Sequence, residues 1–393
     1  MELPKSFPKV LKIAVVGTGN RAQAHLQAIA RMTDMFQLVA VCDALSERAR
    51  EVGARYGVPA YADLEMMMER ERPDVVLVTV PPEAHHTVAC RAAELGAHVL
   101  CETPIAITLP YADAMIAAAR RGNVKLEVAE NVWRFPAERF KRLLLDSGMI
   151  GQVRNIRLWY TSGSYHGINA VRVLAGSEPV RVVGMAKVVE LDVKRRWFVD
   201  PYHFHTFAPA GAEVPAMLSE THLASFETGL IEFANGVVAS YEFPIARPRG
   251  NAWEVQASGG FIEGNRVLVA GRERELRIVT ETESGVITRV RLYDGDAPVE
   301  GPVWENPFVE YGPQDGGDVA IMDQLTSIYR AAVEGIEPEY GAAAARTDLE
   351  VLIAVRESAR LGSRPIELPL KEETGYEARL HQVYGAPPVA VAG

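Results

Sequence analysis

The chain has 393 residues, a formal net charge of −10, 48% apolar residues and 23% charged residues. This length suggests two domains rather than one compact core, and the composition is that of a globular protein with enough apolar side chains to fill both. The acidic balance disfavours nucleic-acid binding, because the chain lacks the basic surface that attracts phosphate backbones.

Two further observations bear on location. No apolar run approaches the ~20 residues of a membrane span, and the first residues do not resemble a signal peptide, so we expect no membrane partner and a cytoplasmic protein. The cysteines number three, an odd count, and lie within apolar stretches, at Cys42, Cys90 and Cys101. Buried, reduced thiols are the ordinary expectation for such cysteines in the cytosol.

The first third of the chain alternates between strand-like and helix-like segments. Apolar, β-rich runs predict strands that are covered on both faces, at residues 11–17, 37–43, 74–80, 98–102 and 124–130. Segments with helix start and stop residues predict helices between them, at residues 22–32, 46–56, 84–95 and 109–121. This alternation predicts an α/β domain over residues 1–130, with helices on both faces of a doubly wound parallel sheet.

The pattern changes after residue 130. Several segments alternate between apolar and polar residues and are separated by Asn-Gly or Gly-Gly turns, of which "ANGVV" at 234–238 is the clearest, so hairpins of an antiparallel sheet are expected. Residues 295–317 are rich in Pro, Gly and Asp and predict a long loop that could lie over a cleft. Helices are predicted at 136–148, 318–334 and 343–361. Residues 131–393 would form the second domain.

A dinucleotide-binding signal lies in the first strand and helix. Gly17, Gly19 and Ala22 have the GxGxxA spacing directly after a predicted strand, and Asp43 ends the second strand 24 residues after Gly19. The glycines permit a tight turn and close approach of a pyrophosphate to a helix N-terminus. Asp43 can accept both ribose hydroxyls and would repel a 2′-phosphate, which favours NAD over NADP, although Arg48 is nearby.

The chain resembles, over most of its length, the Gfo/Idh/MocA family (glucose-fructose oxidoreductase, inositol dehydrogenase and rhizopine catabolism proteins). The matching segments include "VVGTGNRA", "VTVPPEAH", "GAHVLCETPIAIT", "ENVWRFPAERFKRLLLDSGMIGQV", "YHGINAVRVLAG" and "EFANGVVASYEF". The resemblance implies an N-terminal Rossmann domain and a C-terminal α/β domain whose open, mostly antiparallel sheet carries substrate and subunit contacts. It also implies an NAD-dependent oxidoreductase that assembles as a homodimer or homotetramer.

The resemblance further implies positions for the cofactor. The adenosine ribose would lie against Asp43, and the pyrophosphate would be lined by the residues of the glycine turn, Gly17, Gly19, Asn20 and Arg21. Three residues would lie on the nicotinamide side: Pro82 and His85, which follow the third predicted strand, and Glu102, which ends the fourth.

The sequence departs from the family's pattern at two places. The loop at 102–104 reads Glu-Thr-Pro where the family usually has Glu-Lys-Pro, so Thr103 stands at the position of the lysine that contacts the substrate hydroxyl. The family's later motif has an Asp four residues before a His and an acid three residues after it, whereas this chain has Ser162, His166 and Asn169. Only the histidine of that motif remains.

His166 is the candidate for the proton transfer that must accompany hydride transfer from an alcohol. Threonine cannot take that proton at neutral pH but can hydrogen-bond an alcohol, whereas histidine titrates in the right range. We therefore expect His166 to act as general base or acid, with Tyr165, Thr103 and Glu102 as orienting groups. Structural alternatives remain open: His166 could cap a helix or fill an interface, and Glu102 could bind backbone N–H groups.

Three more side chains are candidates for the substrate region. Arg134, in "WRFP", either closes the site or braces an inter-domain helix. His203 and His205 in "DPYHFHTF" would fall on one face of an extended segment, where they could form a sugar-binding wall or serve structure alone. His203 and His205 could instead bind a metal ion together with Glu220 or His222. No further ligand spacing supports this interpretation, and we expect no metal.

Three functions are compatible with these residues. The first is an NAD-dependent oxidoreductase that acts on a hydroxyl of a sugar, polyol or glycoside, with His166 instead of the lysine as the proton-transferring group. The second is a lyase or hydrolase that oxidises a sugar ring transiently and returns the hydride. The third is a sensor that binds dinucleotide and sugar without chemistry, for which the loss of Lys at Thr103 and of Asp at Ser162 is the supporting feature.

Overall fold

The structure is a computed structural model that describes residues 7–159, 164–198, 218–243 and 252–385. Within these ranges the chain forms one parallel sheet and one larger, mostly antiparallel sheet, with helices packed against both. The predicted α/β fold class is confirmed.

The first sheet is built from the N-terminal third of the chain. Its strands are β1 (Leu11–Val16), β2 (Phe36–Cys42), β3 (Ala60–Tyr61), β4 (Val75–Val78), β5 (His98–Cys101) and β6 (Leu126–Val128). All neighbours pair in parallel, in the order β3-β2-β1-β4-β5-β6, which is the doubly wound order of the Rossmann fold. The strand order reverses between β1 and β4, where such sheets leave a crevice at their carboxyl edge.

The helices of this part follow the strands in chain order. They are α1 (Asn20–Arg31), α2 (Ser46–Tyr56), α3 (Leu64–Glu71), α4 (His85–Glu94) and α5 (Leu109–Arg121). The prediction lacked β3 and α3. β3 has two residues, too few for a hydrophobic pattern, whereas α3 has a readable start, because the Asp63 side chain accepts a hydrogen bond from the Met66 N–H at 2.8 Å.

Within the described ranges, the second sheet contains eleven strands. They are β7 (Val153–Trp159), β8 (Pro179–Phe198), β9 (Leu218–Phe233), β10 (Val238–Phe243), β11 (Ala252–Ala257), β12 (Gly260–Glu263), β13 (Arg266–Val269), β14 (Leu276–Glu283), β15 (Val286–Asp294), β16 (Ala297–Glu305) and β17 (Ile366–Glu367). The order is β16-β15-β14-β13-β12-β11-β7-β10-β9-β8-β17, and every pair except β7 with β10 is antiparallel.

The hairpin prediction is confirmed at the Asn-Gly turn, and one loop prediction is wrong. Residues 234–237 connect β9 to β10, and Gly236 has φ +83°, which a residue with a side chain rarely adopts. The predicted loop 295–317 instead contains β16, from Ala297 to Glu305. Among the strands that the structure describes, β16 pairs only with β15 and lies at the edge of the sheet. Its prolines Pro298 and Pro302, which suggested a loop, therefore remove no hydrogen bond from a second described neighbour.

The remaining helices are α6 (Pro136–Asp146), α7 (Ser164–Ala175), α8 (Gly316–Glu334), α9 (Ala342–Arg360) and α10 (Gly375–Tyr384). α9 packs against β8 and α7 of the second half and also against α5 of the first, while α8 packs against α1. The helices near the C-terminus therefore contact both parts of the molecule. The division of the chain at residue 130 stays a prediction.

Among the described helices, none has the length and apolar character needed to cross a bilayer.

Gly184 lies where β8 passes closest to α9, and a Cβ atom there would stand 2.0 Å from the carbonyl oxygen of Val355. Because backbone atoms would have to move, we expect Gly184→Ala to lower the free energy of unfolding by ~1–3 kcal/mol, measured by urea denaturation. Gly341→Ala is the control, since its Cβ would lie 3.6 Å or more from its neighbours. Equal stability of the two variants would contradict the described packing.

Candidate functional site

The site is built from residues that follow the carboxyl ends of neighbouring parallel strands. Asp43 follows β2 and Gly17 follows β1, while Glu102 follows β5 and Glu130 lies two residues beyond β6. Because β5 and β6 pair side by side, and the Ala129 N–H donates to the Cys101 carbonyl at 2.7 Å, the last two carboxylates lie on adjacent strand ends. This edge is where open α/β sheets bind ligands.

The glycine turn has the geometry expected for a pyrophosphate loop. Gly17 has φ +89°, and a Cβ there would come within 2.7 Å of the Thr79 backbone at the end of β4. Gly19 caps the N-terminus of α1, and a Cβ there would meet nothing within 4 Å. The first turn of α1 carries no acidic residue, and Asn20 and Arg21 are exposed beside it. The turn therefore presents open space in front of a helix N-terminus, as anion binding requires.

Asp43 is fixed by several donors. Its Oδ2 accepts hydrogen bonds from the Thr18 N–H at 2.7 Å and the Thr18 hydroxyl at 2.8 Å, and Arg48 forms a bidentate ion pair with both oxygens at 2.9 Å. Burial disfavours the charge, but these hydrogen bonds outweigh it and lower the pKa of Asp43 to about 2. Asp43 is therefore ionised at neutral pH and stands beside the glycine turn.

Glu102 joins α1 to the end of β5. Its Oε1 lies 2.5 Å from the Arg21 Nε and 2.6 Å from the His25 Nε2. Burial opposes the charge of Glu102, yet the Arg21 guanidinium and the His25 hydrogen bond hold the pKa of this carboxyl below its usual range. Burial lowers the pKa of His25, so its neutral ring donates to Glu102. Glu102 thus binds two side chains of α1 through Oε1, and its Oε2 accepts a hydrogen bond from the Thr103 N–H at 3.1 Å, which is a backbone contact of the kind named in the structural alternative.

Thr103 is half-buried and lies between Glu102 and Pro104, with which it forms a cis peptide bond. His85, the first residue of α4, is buried against this loop. Its Nδ1 lies 2.8 Å from the Pro104 carbonyl and its Nε2 lies 2.9 Å from the Val80 carbonyl. His85 therefore links the loops after β4 and β5. Pro82 begins the short 3₁₀ turn between Val80 and His85 and is half-buried.

His166 lies near the start of α7 and contacts a carboxylate that the sequence analysis had not selected. Its Nδ1 is 2.6 Å from Oε2 of Glu130, which is fully buried, while the imidazole itself is 21% exposed. Burial lowers the pKa of His166, but the charge and hydrogen bond of Glu130 outweigh burial, so the pKa is raised above its ordinary value. The charge of Glu102 raises this pKa further, and the charge of Arg21 lowers it.

Tyr165 and Asn169 hold α7 in place through α9. The Tyr165 hydroxyl lies 2.8 Å from the Tyr340 hydroxyl and 3.1 Å from the Ala345 carbonyl, and Asn169 donates to Asp348 at 2.7 Å. The structure therefore directs the Tyr165 hydroxyl into the contact with α9. Of the neighbouring residues Tyr165 and His166, only His166 has its side chain hydrogen-bonded to Glu130 among the contacts described.

Arg134 connects the end of the parallel sheet to α8 and to the segment before α9 through buried ion pairs. Its guanidinium is fully buried and pairs with three carboxylates: Glu127 at 2.8 Å, Asp323 at 2.5 Å and Glu339 at 3.1 Å. Its Nε also donates to the Glu130 carbonyl at 3.2 Å. The buried, paired guanidinium fits the second of the two roles considered for this residue.

Three positions of the sequence analysis, Ser162, His203 and His205, lie outside the described residues. His222 is described, and its Nδ1 is 3.0 Å from the Leu191 carbonyl. In the parts of the chain that the structure covers, no three His, Cys, Asp or Glu side chains are grouped as a metal ion requires.

Sequence reasoning missed Glu130 and His25. The signal for Glu130 was available, since it is the last residue of the strand predicted at 124–130, and an acid at a strand end had already selected Asp43 and Glu102. His25 gave no such signal, because only the fold brings it onto the face of α1 that meets Glu102.

The sequence model of the family described as "Oxidoreductase family, NAD-binding Rossmann fold" (GFO_IDH_MocA) matches residues 11–130. This region, which is less than a third of the chain, is similar to the Gfo/Idh/MocA family. Among its curated relatives, D-apiose dehydrogenase of Paraburkholderia graminis is 37% identical over 144 residues, or 36% of this chain and 38% of that enzyme. Inositol 2-dehydrogenase of Salmonella typhimurium is 32% identical over 146 residues, or 36% of this chain and 43% of that enzyme. The chain thus spans about two-fifths of the length of these relatives.

Solved structures of similar fold extend over nearly the whole chain. A levoglucosan dehydrogenase in complex with NADH and L-sorbose superposes with a TM-score of 0.67 at 22% identity, covering 92% of this chain and 100% of that one. An aldose-aldose oxidoreductase from Caulobacter crescentus, complexed with glycerol, gives a TM-score of 0.63 at 22% identity, with 92% and 100% covered. At these identities the similarity shows the fold alone.

The Arg134 network predicts a large effect on stability. Arg134→Met would leave the buried Glu127 without its guanidinium partner, while Asp323 keeps its ion pair with Arg139, so we expect the free energy of unfolding to fall by ~3–5 kcal/mol in urea denaturation at pH 7. Arg330→Met, which removes an ion pair with Glu334 on the surface of α8, is the control and should cost less than ~1 kcal/mol. A change in substrate affinity at full stability would instead favour the substrate role for Arg134.

Proposed function

We propose that this protein is an NAD-dependent oxidoreductase that acts on a hydroxyl of a sugar, polyol or glycoside. The observation that carries the proposal is the placement of the His166–Glu130 pair at the sheet edge that also holds the glycine turn and Asp43. In this proposal, the sheet edge that would bind the nucleotide and the imidazole of His166, which would act as the base, lie in the same region. The curated relatives, which are dehydrogenases of D-apiose and of inositol, support the substrate class.

The residues present fit a dinucleotide. Gly17 is required by its close approach to Thr79, Gly19 leaves the room that a phosphate needs, and the N-terminus of α1 supplies N–H groups for it. Asn20 and Arg21 would line the pyrophosphate. On the nicotinamide side, Pro82 would flank the cofactor, while His85 would act through the two loops that it links.

NAD is proposed over NADP because of Asp43. Its carboxylate is ionised and fixed beside the glycine turn, where it can accept hydrogen bonds from ribose hydroxyls and would repel a 2′-phosphate. Arg48 is the opposing feature, since a guanidinium that left Asp43 could bind such a phosphate. The bidentate pair keeps Arg48 on the carboxylate and so favours the unphosphorylated ribose.

In this mechanism the bound dinucleotide supplies the hydride acceptor. His166 takes the hydroxyl proton as the hydride leaves, and in the reverse direction it returns the proton. Thr103, which has no charge, can donate or accept one hydrogen bond and thereby orient the substrate hydroxyl. Glu102 keeps its charge through Arg21 and His25 and holds the loop that carries Thr103. His203 and His205 remain candidates for a sugar-binding wall.

We also propose a cytoplasmic homodimer or homotetramer. The second sheet carries α7 and α9 on one face, while its opposite face exposes Met185 (49%), Leu230 (52%) and Val238 (38%). These three lie on neighbouring strands β8, β9 and β10, and Val183 pairs directly with Leu230. Contiguous exposed apolar side chains of this kind mark subunit contacts.

The first test of the proposal is NADH formation. Purified protein given NAD and a panel of sugars, inositols and glycosides should reduce NAD, and His166→Ala should lower kcat/KM by ~10²–10⁴-fold, because a positioned base contributes that much. His381→Ala, which changes a histidine on α10, is the control and should keep the rate. Full activity of His166→Ala would contradict the assignment. Turnover of a glycoside with retained NAD and no net NADH would indicate transient oxidation instead.

A second test concerns the choice of cofactor. Asp43→Ala removes the ribose acceptor and releases Arg48, so we expect the Kd of NAD to rise by ~10–100-fold and the Kd of NADP to fall, both measured by calorimetry. Asp113→Ala, at an exposed aspartate that pairs with Arg346, should change neither value. Tighter binding of NADP than NAD by the unaltered protein would overturn the cofactor assignment.

A further inference from the structure

The His166–Glu130 pair joins two parts of the fold. Glu130 follows the last strand of the parallel sheet, whereas His166 lies on α7, which packs against β7 and β10 of the second sheet. The Nδ1 to Oε2 distance of 2.6 Å is that of a charge-assisted hydrogen bond. Since an ionised carboxylate can only accept hydrogen bonds, Nδ1 must carry the proton in this contact.

We propose that Glu130 is a positioning residue that holds the His166 proton on Nδ1 and thereby makes Nε2 the atom that exchanges a proton with the substrate. The inference rests on the proposed function and assigns to that site a residue that acts through the base. A histidine ring without such a partner interconverts between two tautomers, of which only one presents a basic Nε2. Glu130 would select that tautomer before substrate binds.

Glu130 is itself held on both sides, as such a role requires. Its Oε1 accepts a hydrogen bond from the Val132 N–H at 2.9 Å, and its carbonyl accepts one from the Arg134 Nε at 3.2 Å. The side chain is fully buried. The carboxylate therefore has one oxygen fixed by the backbone and the other directed at the imidazole, so that the ring orientation follows from the fold.

The sequence gives an independent reason for a carboxylate at this place. Position 162, where the family's motif has an Asp four residues before the histidine, is a serine in this chain. Glu130 brings a carboxylate to the same histidine from 36 residues earlier in the sequence. The charge next to the base would thus be retained, although its position in the chain differs.

These charges raise the pKa of His166, so its imidazole can act as a base only above that raised pKa. Three charged side chains from three elements act on the imidazole, with Glu130 and Glu102 raising the pKa of His166 and Arg21 lowering it against the opposing effect of burial. The ring is protonated below this pKa and accepts a proton above it, so alcohol oxidation should accelerate as the pH rises through it. Removing the Glu130 charge should move that limb of the profile to lower pH.

Glu130→Gln tests the proposal, because the amide keeps the shape and removes the charge. We expect the pKa of His166, followed by NMR of ¹⁵N-histidine-labelled protein, to fall by ~1–3 units, as expected on loss of an adjacent opposite charge. The nitrogen shifts should also change from the Nδ1–H tautomer to a mixture of tautomers. We expect kcat/KM to fall by ~10–100-fold, mostly in kcat, with its acid limb displaced in the same direction.

Glu373→Gln is the matched control, since it removes the carboxylate of another described histidine–glutamate pair, 2.5 Å from the His381 Nδ1. It should leave the His166 resonances and the rate unchanged. Glu130→Asp, which keeps the charge, should retain a raised pKa, and thermal melts confirm that each variant is folded. An unchanged pKa and tautomer of His166 in folded Glu130→Gln would overturn the inference, even if the enzyme is active. A shifted pKa in a protein that reduces no NAD would instead contradict the proposed function alone.

Discussion

The arrangement of the site depends on the burial of one cation, the guanidinium of Arg134. A buried charge costs several kcal/mol unless it is matched, so three carboxylates must come to it from different places: Glu127 from β6, Asp323 from α8 and Glu339 from the segment before α9. This compensation ties α8 and the segment before α9 to the end of the parallel sheet. The same guanidinium binds the Glu130 carbonyl, so the position of the residue that contacts His166 follows from the pairing of buried charge.

Three carboxylates follow strands at the edge of the parallel sheet. Each of them is paired with a positively charged or hydrogen-bonding side chain from another element. Asp43 is paired with Arg48 of α2, Glu102 with Arg21 and His25 of α1, and Glu130 with His166 of α7. The pairs differ in what they leave accessible. His25 is fully buried and its neighbour Glu102 nearly so, whereas His166 remains 21% exposed and is therefore suited to exchange a proton.

The hydrophobic pattern of the sequence was sufficient to predict the parallel sheet, but it did not predict much of the candidate site. Apolar runs and glycine stops predicted five of its six strands, because a strand covered on both faces is apolar throughout. α7 was not predicted, since it is buried on nearly all sides and lacks the one-sided pattern of a surface helix. The His166–Glu130 contact joins residues 36 positions apart on separate elements, so no spacing rule could report it. The sequence showed Glu130 at the end of a predicted strand, but only the folded structure shows that His166 is its partner.

The position of α9 bears on how this molecule can admit a ligand. Much of the helix is buried, it packs against α5 on one side and against β8 and α7 on the other, and Asp348 on it binds Asn169 and Arg172 of α7. A hinge rotation of one sheet away from the other would have to part α9 either from α5 or from β8 and α7. Such a rotation is therefore costly, and the His166–Glu130 pair keeps its place relative to the sheet edge that carries Asp43 and the glycine turn.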